Sequence, residues 1–181
     1  SKLSRTDHDA WTLVEVTLTD GPYLSQNSTT TTLQAGATTG SGVTLTASAV
    51  TGVNGGSGFL STDVGRLVTF LAGYAKITAV ATTTSATITV LDDFSGTGTS
   101  ADWSLGSYSD TTGHPFAVTF FEERLVFAGT NEQPQTVFFS QSGDFENFKS
   151  GTNATDALIF TIGASDVNVT RYLSSGRNLI V

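Results

Sequence analysis

The chain has 181 residues and a net charge of −8, with 38% hydrophobic and only 13% charged residues. That length suits one domain or two small ones, and the acidic balance, with no Lys/Arg cluster, excludes an electrostatic footprint for gripping nucleic acid. Cys is absent, which excludes a disulfide framework, a thiolate zinc site and a cysteine nucleophile. No apolar run approaches bilayer-spanning length, and no signal-peptide pattern is visible.

Neutral polar groups, Thr above all, must supply most of the solubility. Thr is β-branched and favours a pleated, half-buried surface. Twelve Phe and nineteen Gly fit strands closed by tight turns. With no window of sustained helical periodicity, an all-β fold is expected.

Residues 10–19 (AWTLVEVTLT) form the first strand candidate. Trp11 and Leu13 share one face, and Val14, Val16 and Leu18 the other, so the phase slips. A bulge, or burial on both sides, would account for that. Asp20-Gly21-Pro22 signals a turn. Residues 26–42 are a polar Ser/Thr/Gly stretch that reads as a linker or as an edge strand with loops. Residues 43–47 alternate strictly and read as a strand, and the Gly-rich residues 51–58 as a loop. Asp63-Val64-Gly65 is a turn, with Asp63 capping it through nearby backbone amides. Three closely spaced strands follow at residues 66–71, 74–81 and 86–91, the last two joined by a hairpin loop at 82–85. Residues 102–105 close the unit. This spacing predicts a small barrel or sandwich, with Val64, Leu67, Ile77, Ile88, Val90 and Trp103 in its core.

After a turn at residues 112–115, two apolar runs at residues 118–127 and 136–140 read as strands of one meander, with further strands at 157–162, 167–173 and 178–181. The predicted architecture is a small β-barrel/sandwich module, residues 34–106, inserted in a partial β-propeller-like meander built from residues 1–28 and 109–181. The outer strands are too few for a closed propeller. Met is absent, even at the start, and the chain opens and stops inside patterns, so a fragment of a longer protein is expected.

No constellation predicts catalysis. Glu122 and Glu123 are adjacent, so on a strand they would point to opposite faces; in a tight turn they would be exposed. Asp92-Asp93 and Asp7-His8-Asp9 read as solvated loop charge, because adjacent residues seldom converge on one ion. There is no Gly-x-Ser-x-Gly elbow, and residues 52–58 lack the Lys of a phosphate loop. The sequons at Asn27, Asn153 and Asn168 are expected by chance in a Thr-rich chain. No cofactor or metal is expected. Ser142-Gly143-Asp144-Phe145 is similar to the Asp-box of sialidase-like propellers, with Glu146 where that motif has Gly. Asp144 is expected to pin the turn through side-chain-to-backbone bonds, with Phe145 and Phe148 plugging the space beneath.

The stretch RLVFAGT…QPQTVFFSQSGDFENF, strongest over residues 133–148, resembles the propeller region of bacteriophage tail nozzle proteins, the tail tubular protein B family. Lys2-Leu3-Ser4-Arg5-Thr6 with His8-Asp9-Ala10-Trp11, then Asp20-Gly21-Pro22-Tyr23-Leu24 and Ser175-Gly176-Arg177-Asn178-Leu179-Ile180, resemble other parts of the same family. The inserted module, with Asp63-Val64-Gly65-Arg66 and Trp103, resembles a small barrel likened to a half-domain of ubiquitin-activating enzymes, whose cysteine chemistry does not carry over. The resemblance implies a non-enzymatic structural virion protein. It implies a homo-oligomeric ring, typically of six copies, that continues the DNA channel and contacts adaptor and fibre or tailspike proteins. It also implies a place in the virion tail, with assembly in the bacterial cytoplasm. No sequence-specific nucleic acid and no membrane partner are expected. Two competing readings are a glycan-binding or sialidase-like propeller, with Tyr74 or Tyr108 as an exposed aromatic, and a plain adhesion module.

Overall fold

The computed structural model describes residues 2–14, 16–163 and 168–181. It is all-β, as the composition predicts, and its largest sheet is a curled six-stranded half-barrel. The chain opens with a two-stranded antiparallel ribbon, β1 (Lys2–Arg5) and β2 (Trp11–Val14). All four side chains of β2 are exposed. Burial on both sides, one of the two explanations for the phase slip, therefore does not occur in β2: among the described residues it pairs with β1 alone, in a two-stranded sheet. Glu15 and Val167, from the expected strands at 10–19 and 167–173, lie outside the described residues.

The half-barrel contains β3 (Leu33–Ala35), β4 (Ser41–Ala47), β5 (Leu67–Phe70), β6 (Gly73–Thr82), β7 (Ser85–Asp92) and β8 (Trp103–Leu105), in the order β3-β4-β7-β6-β5-β8. Strict alternation drives it. Val43, Leu45 and Ala47 of β4 are buried while Thr44 and Thr46 between them face solvent. Ala75 and Ile77 of β6 and Ala86 and Ile88 of β7 supply the same inner face. Each large aliphatic sealed there stabilises the fold by about 1.5–3 kcal/mol. Register shifts between Tyr74 and Ala75, Ile77 and Ala79, and Val80 and Thr82 curl β6 against β7. Of the stretch 26–42, residues 33–35 are an edge strand, and the Trp103 indole N–H, donating to the Thr31 carbonyl at 2.9 Å, fastens the segment just before it. Residues 51–58 are not plain loop: Val53–Gly56 form a 3-10 turn.

The expected core residues Leu67, Ile77, Ile88 and Trp103 are buried, and Val90 is partly buried against them. Val64 is not: it is 49% exposed. Its backbone is extended (φ −60°, ψ 129°) directly after the 3-10 turn Ser61–Asp63, and the inward positions on either side go to Asp63 and Arg66 instead.

The second sheet is a four-stranded antiparallel meander, β9 (Ala117–Phe121), β10 (Arg124–Ala128), β11 (Thr136–Phe139) and β12 (Leu158–Thr161), in spatial order β12-β11-β10-β9. Both faces are apolar. One buries Leu125 and Phe138 with Phe148 and Ala157. The other buries Ala117, Val126, Ala128 and Val137 against Leu173 and Leu179. A short ribbon, β13 (Ser174–Ser175) and β14 (Leu179–Ile180), completes the chain; described residues 168–173 carry no strand. Arg124, nearly buried, donates to three carbonyls, those of Ser140 (2.6 Å), Asp156 (2.7 Å) and Ala154 (2.7 Å), and so ties the long β11–β12 connection to the sheet. Residues 19–24 join the two sheets: Phe148 N–H donates to the Asp20 carbonyl, and Leu24 N–H to that of Leu105.

Two hairpins turn on residue pairs without glycine. Leu71-Ala72 links β5 to β6 at φ 48° and 63°, and Glu122-Glu123 links β9 to β10 at φ 46° and 59°. Positive φ at both central positions matches the right-handed twist of the strands, but Cβ-bearing residues adopt it at a cost.

Candidate functional site

Asp63 sits at a buried polar node, and Gly65 lies exposed beside it, its N–H bonded to the Ile77 carbonyl. Gly65 has φ 94°, the left-handed region glycine tolerates. Asp63 Oδ2 accepts the Leu60 N–H at 2.9 Å, the turn bond expected from sequence. The carboxylate does much more. Oδ2 also accepts from Asn54 Nδ2 (2.6 Å), while Oδ1 accepts from Arg66 Nη1 (2.9 Å) and Thr111 Oγ1 (2.7 Å). Arg66 Nε donates to the Gly106 carbonyl at 2.7 Å, and its Nη1 also reaches Asn54 Oδ1 at 2.7 Å. Both charged side chains are fully sealed from solvent. Burial pulls the Arg66 pKa down, and the adjacent Asp63 charge opposes that pull. Sequence reasoning missed Arg66, Asn54 and Thr111 as members. The Asp-x-x-Arg spacing was the available signal for the first; nothing local marks the other two. All polar atoms of Asp63 are engaged within the fold, so the node fixes the segment 106–111 against the half-barrel rather than meeting a ligand.

The Asp144 turn lies at the other sheet. Glu146 N–H donates to Asp144 Oδ1 at 3.3 Å, and Gly143, at φ 76°, donates its N–H to the Glu123 carbonyl at 2.9 Å. Phe148 is buried and stacks on Phe127 with ring centroids 5.4 Å apart. Phe145 does not join it beneath the turn. It is 42% exposed and meets Phe120 edge-on at 5.1 Å. The buried space beneath the turn is already filled by Phe148.

Gly65 and Phe145 are nonetheless brought to one place. Both border a half-open cleft of about 1000 Å³ between the two sheets. Val118, Phe120 and Phe127 of the meander line one wall; Leu67 and Gly106 of the half-barrel line the other. Tyr108 contributes to the wall, and its buried hydroxyl has no hydrogen-bond partner. Burial raises that hydroxyl's pKa well above the ordinary tyrosine value. Among the described residues, Lys2, Lys76 and His114 are the basic groups bordering the cleft and Glu146 is its one carboxylate. Val118 and Phe120 are each 59% exposed, an apolar surface that single scattered side chains do not make.

The aromatic candidates for a glycan site divide. Tyr108 is half-buried, its ring set edge-on against Phe127 and Phe138 and its hydroxyl sealed from solvent. Tyr74 is half-buried and feels the charges of Asp20, Asp92 and Lys149. Asp20, however, is already used: Tyr23 Oη donates to Oδ1 at 2.5 Å and Lys149 Nζ to Oδ2 at 3.0 Å. The Glu122 and Glu123 side chains are exposed at their turn. In the Asp7-His8-Asp9 loop, Asp7 Oδ1 accepts the His8 N–H at 2.6 Å and His8 Nδ1 lies 3.1 Å from Arg5 Nη2. Among the described residues no three His, Cys, Asp or Glu side chains converge as a metal site.

No protein-family profile matches the chain. No curated protein matches it significantly either.

Proposed function

We propose that the chain is a non-enzymatic structural component of a bacteriophage or prophage tail, part of a nozzle ring that continues the DNA channel and holds fibres. The observation that carries this reading is the segment 133–148, whose resemblance to tail nozzle proteins coincides with β11 and the Asp144 turn of a four-stranded antiparallel meander. A meander of that size is the unit from which propeller blades are made. Such a blade needs neighbours on both faces, and here Val118 and Phe120 on one face and Phe160 on the other remain open. The net charge of −8 suits a surface along which DNA slides without being gripped.

Mass photometry and negative-stain microscopy of the complete gene product test the reading. Discrete rings with a central channel, alone or on an adaptor ring, are expected. A protein that stays monomeric in both settings and binds on a glycan array would replace it with the glycan-binding reading.

A further inference from the structure

The open edge of β9 borders the cleft. Phe121 and Arg124 flank the two-residue turn, so they exchange both backbone hydrogen bonds, and alternation makes Thr119–Val126 and Ala117–Ala128 the other bonded pairs. The N–H and C=O groups of Val118 and Phe120 therefore point away from β10. The partner of Phe120 obeys the same alternation: Leu125 turns its N–H and C=O toward Ser140, on the β11 side. β9 is the last strand of its sheet, and among the described residues no backbone group bonds to that outer edge. The side chains of the same two residues enter the cleft.

Charge distinguishes the site further. The chain has three lysines, Lys2, Lys76 and Lys149, on a molecule of net charge −8. Two of them border this cleft, where Glu146 is the one carboxylate among the described residues. An apolar trough with a basic rim is thus set into an otherwise acidic protein. Its volume, about 1000 Å³, is at the upper end for ligand pockets.

We propose that β9 and the cleft form a docking site for an extended peptide segment of a partner protein, apolar on the side facing the cleft and acidic where it passes Lys2 and Lys76. The segment adds as a fifth strand beside β9. Main-chain bonds to Val118 and Phe120 hold it, and alternate side chains fill the trough beside Tyr108 and Phe145. The site does not depend on the ring reading: it requires only the sheet edge, the cleft and the lysines.

The test uses a fluorescein-labelled nonapeptide alternating Val and Glu, with a Val/Lys counterpart as control. Expected are saturable anisotropy with the Glu peptide alone, weakening with salt, and slowing of amide exchange at Val118 and Phe120 by about tenfold or more. Val118→Pro removes one outward N–H while sparing the β10 ladder, a substitution edge strands accept, and should weaken binding about tenfold. Lys2→Glu with Lys76→Glu leaves the backbone untouched and should reverse the preference toward the Lys peptide. Equal binding of both peptides by the wild-type protein would overturn the proposal. So would new protection confined to the β12 edge, or protection of Val118 and Phe120 by self-association without peptide, which would make a second copy the occupant.

Discussion

Asp63→Asn tests whether the polar node is a charge pair or merely a set of hydrogen bonds. The substitution keeps the shape but removes the negative charge that compensates Arg66, whose guanidinium is fully sealed from solvent. Leaving such a charge unpaired costs about 3–5 kcal/mol, which in a domain of this size lowers Tm by roughly 10 °C. Arg66→Met should sit at the lower end of that range, because Asp63 retains Thr111, Asn54 and the Leu60 N–H as donors. The double variant should cost less than the sum by about 2 kcal/mol: the pair disappears together, and so does the Arg66 Nη2 group, which is buried without a partner. Urea unfolding followed by fluorescence is the assay, since Trp103 is buried within the half-barrel and reports on it directly. Strict additivity of the two single substitutions would refute the reasoning.

Replacing Glu122-Glu123 with Asn-Gly places preferred residues at the two positive φ values and should raise stability by about 1–2 kcal/mol, read as a higher urea midpoint at unchanged slope. Tyr108→Phe removes a buried hydroxyl that has no partner; calorimetry should show Tm unchanged or higher, against the loss usual for buried tyrosines. Stability should fall as the pH rises above about 10. Burial, reinforced by Asp20, raises the Tyr23 pKa far above its ordinary 10.0, and the Asp20 hydrogen bond raises that of Lys149 above 10.5. Groups that hold their protons more tightly in the folded state contribute stability that is complete below the unfolded pKa and lost as pH climbs toward the folded one. Tyr23→Phe should flatten the alkaline limb of a urea-midpoint-versus-pH curve; an unchanged limb would count against this assignment.

The half-barrel was legible wherever side chains alternate against a single core. Residues 43–47, 66–71, 74–81 and 86–91 all became strands within a residue or two, because period-2 burial is a local property of the chain. Residues 10–19 misled for the opposite reason. Their apolar content is high, but burial depends on what lies across from a strand, and β2 has only β1 beside it. Val64 was misplaced because a carboxylate and a guanidinium took the interior positions flanking it, and a hydropathy pattern cannot anticipate a buried ion pair. The polar node escaped the sequence because Asn54, Asp63 and Thr111 lie 9 and 48 residues apart along the chain. The cleft escaped it because its walls come from two sheets whose juxtaposition no local motif encodes. Asp144 could be read as a turn residue because its side chain bonds the amide two residues on, whereas Gly143 and Phe148 are held by Glu123 and Phe127 from the neighbouring hairpin and Phe145 faces the cleft.

Arg124 bears on how the chain comes apart. Its three carbonyl acceptors lie outside any strand, yet they hang from a side chain rooted in β10, next to the hairpin turn. Releasing residues 140–156 therefore strips a buried guanidinium of every hydrogen bond described for it, while opening the sheet withdraws the anchor from the loop. Neither can fray alone at low cost, so a connection with no regular structure is drawn into the cooperative unit of the meander. Its amides should exchange with those of β10 and β11 in a single event, and a protease should find this long surface loop closed until the sheet itself opens.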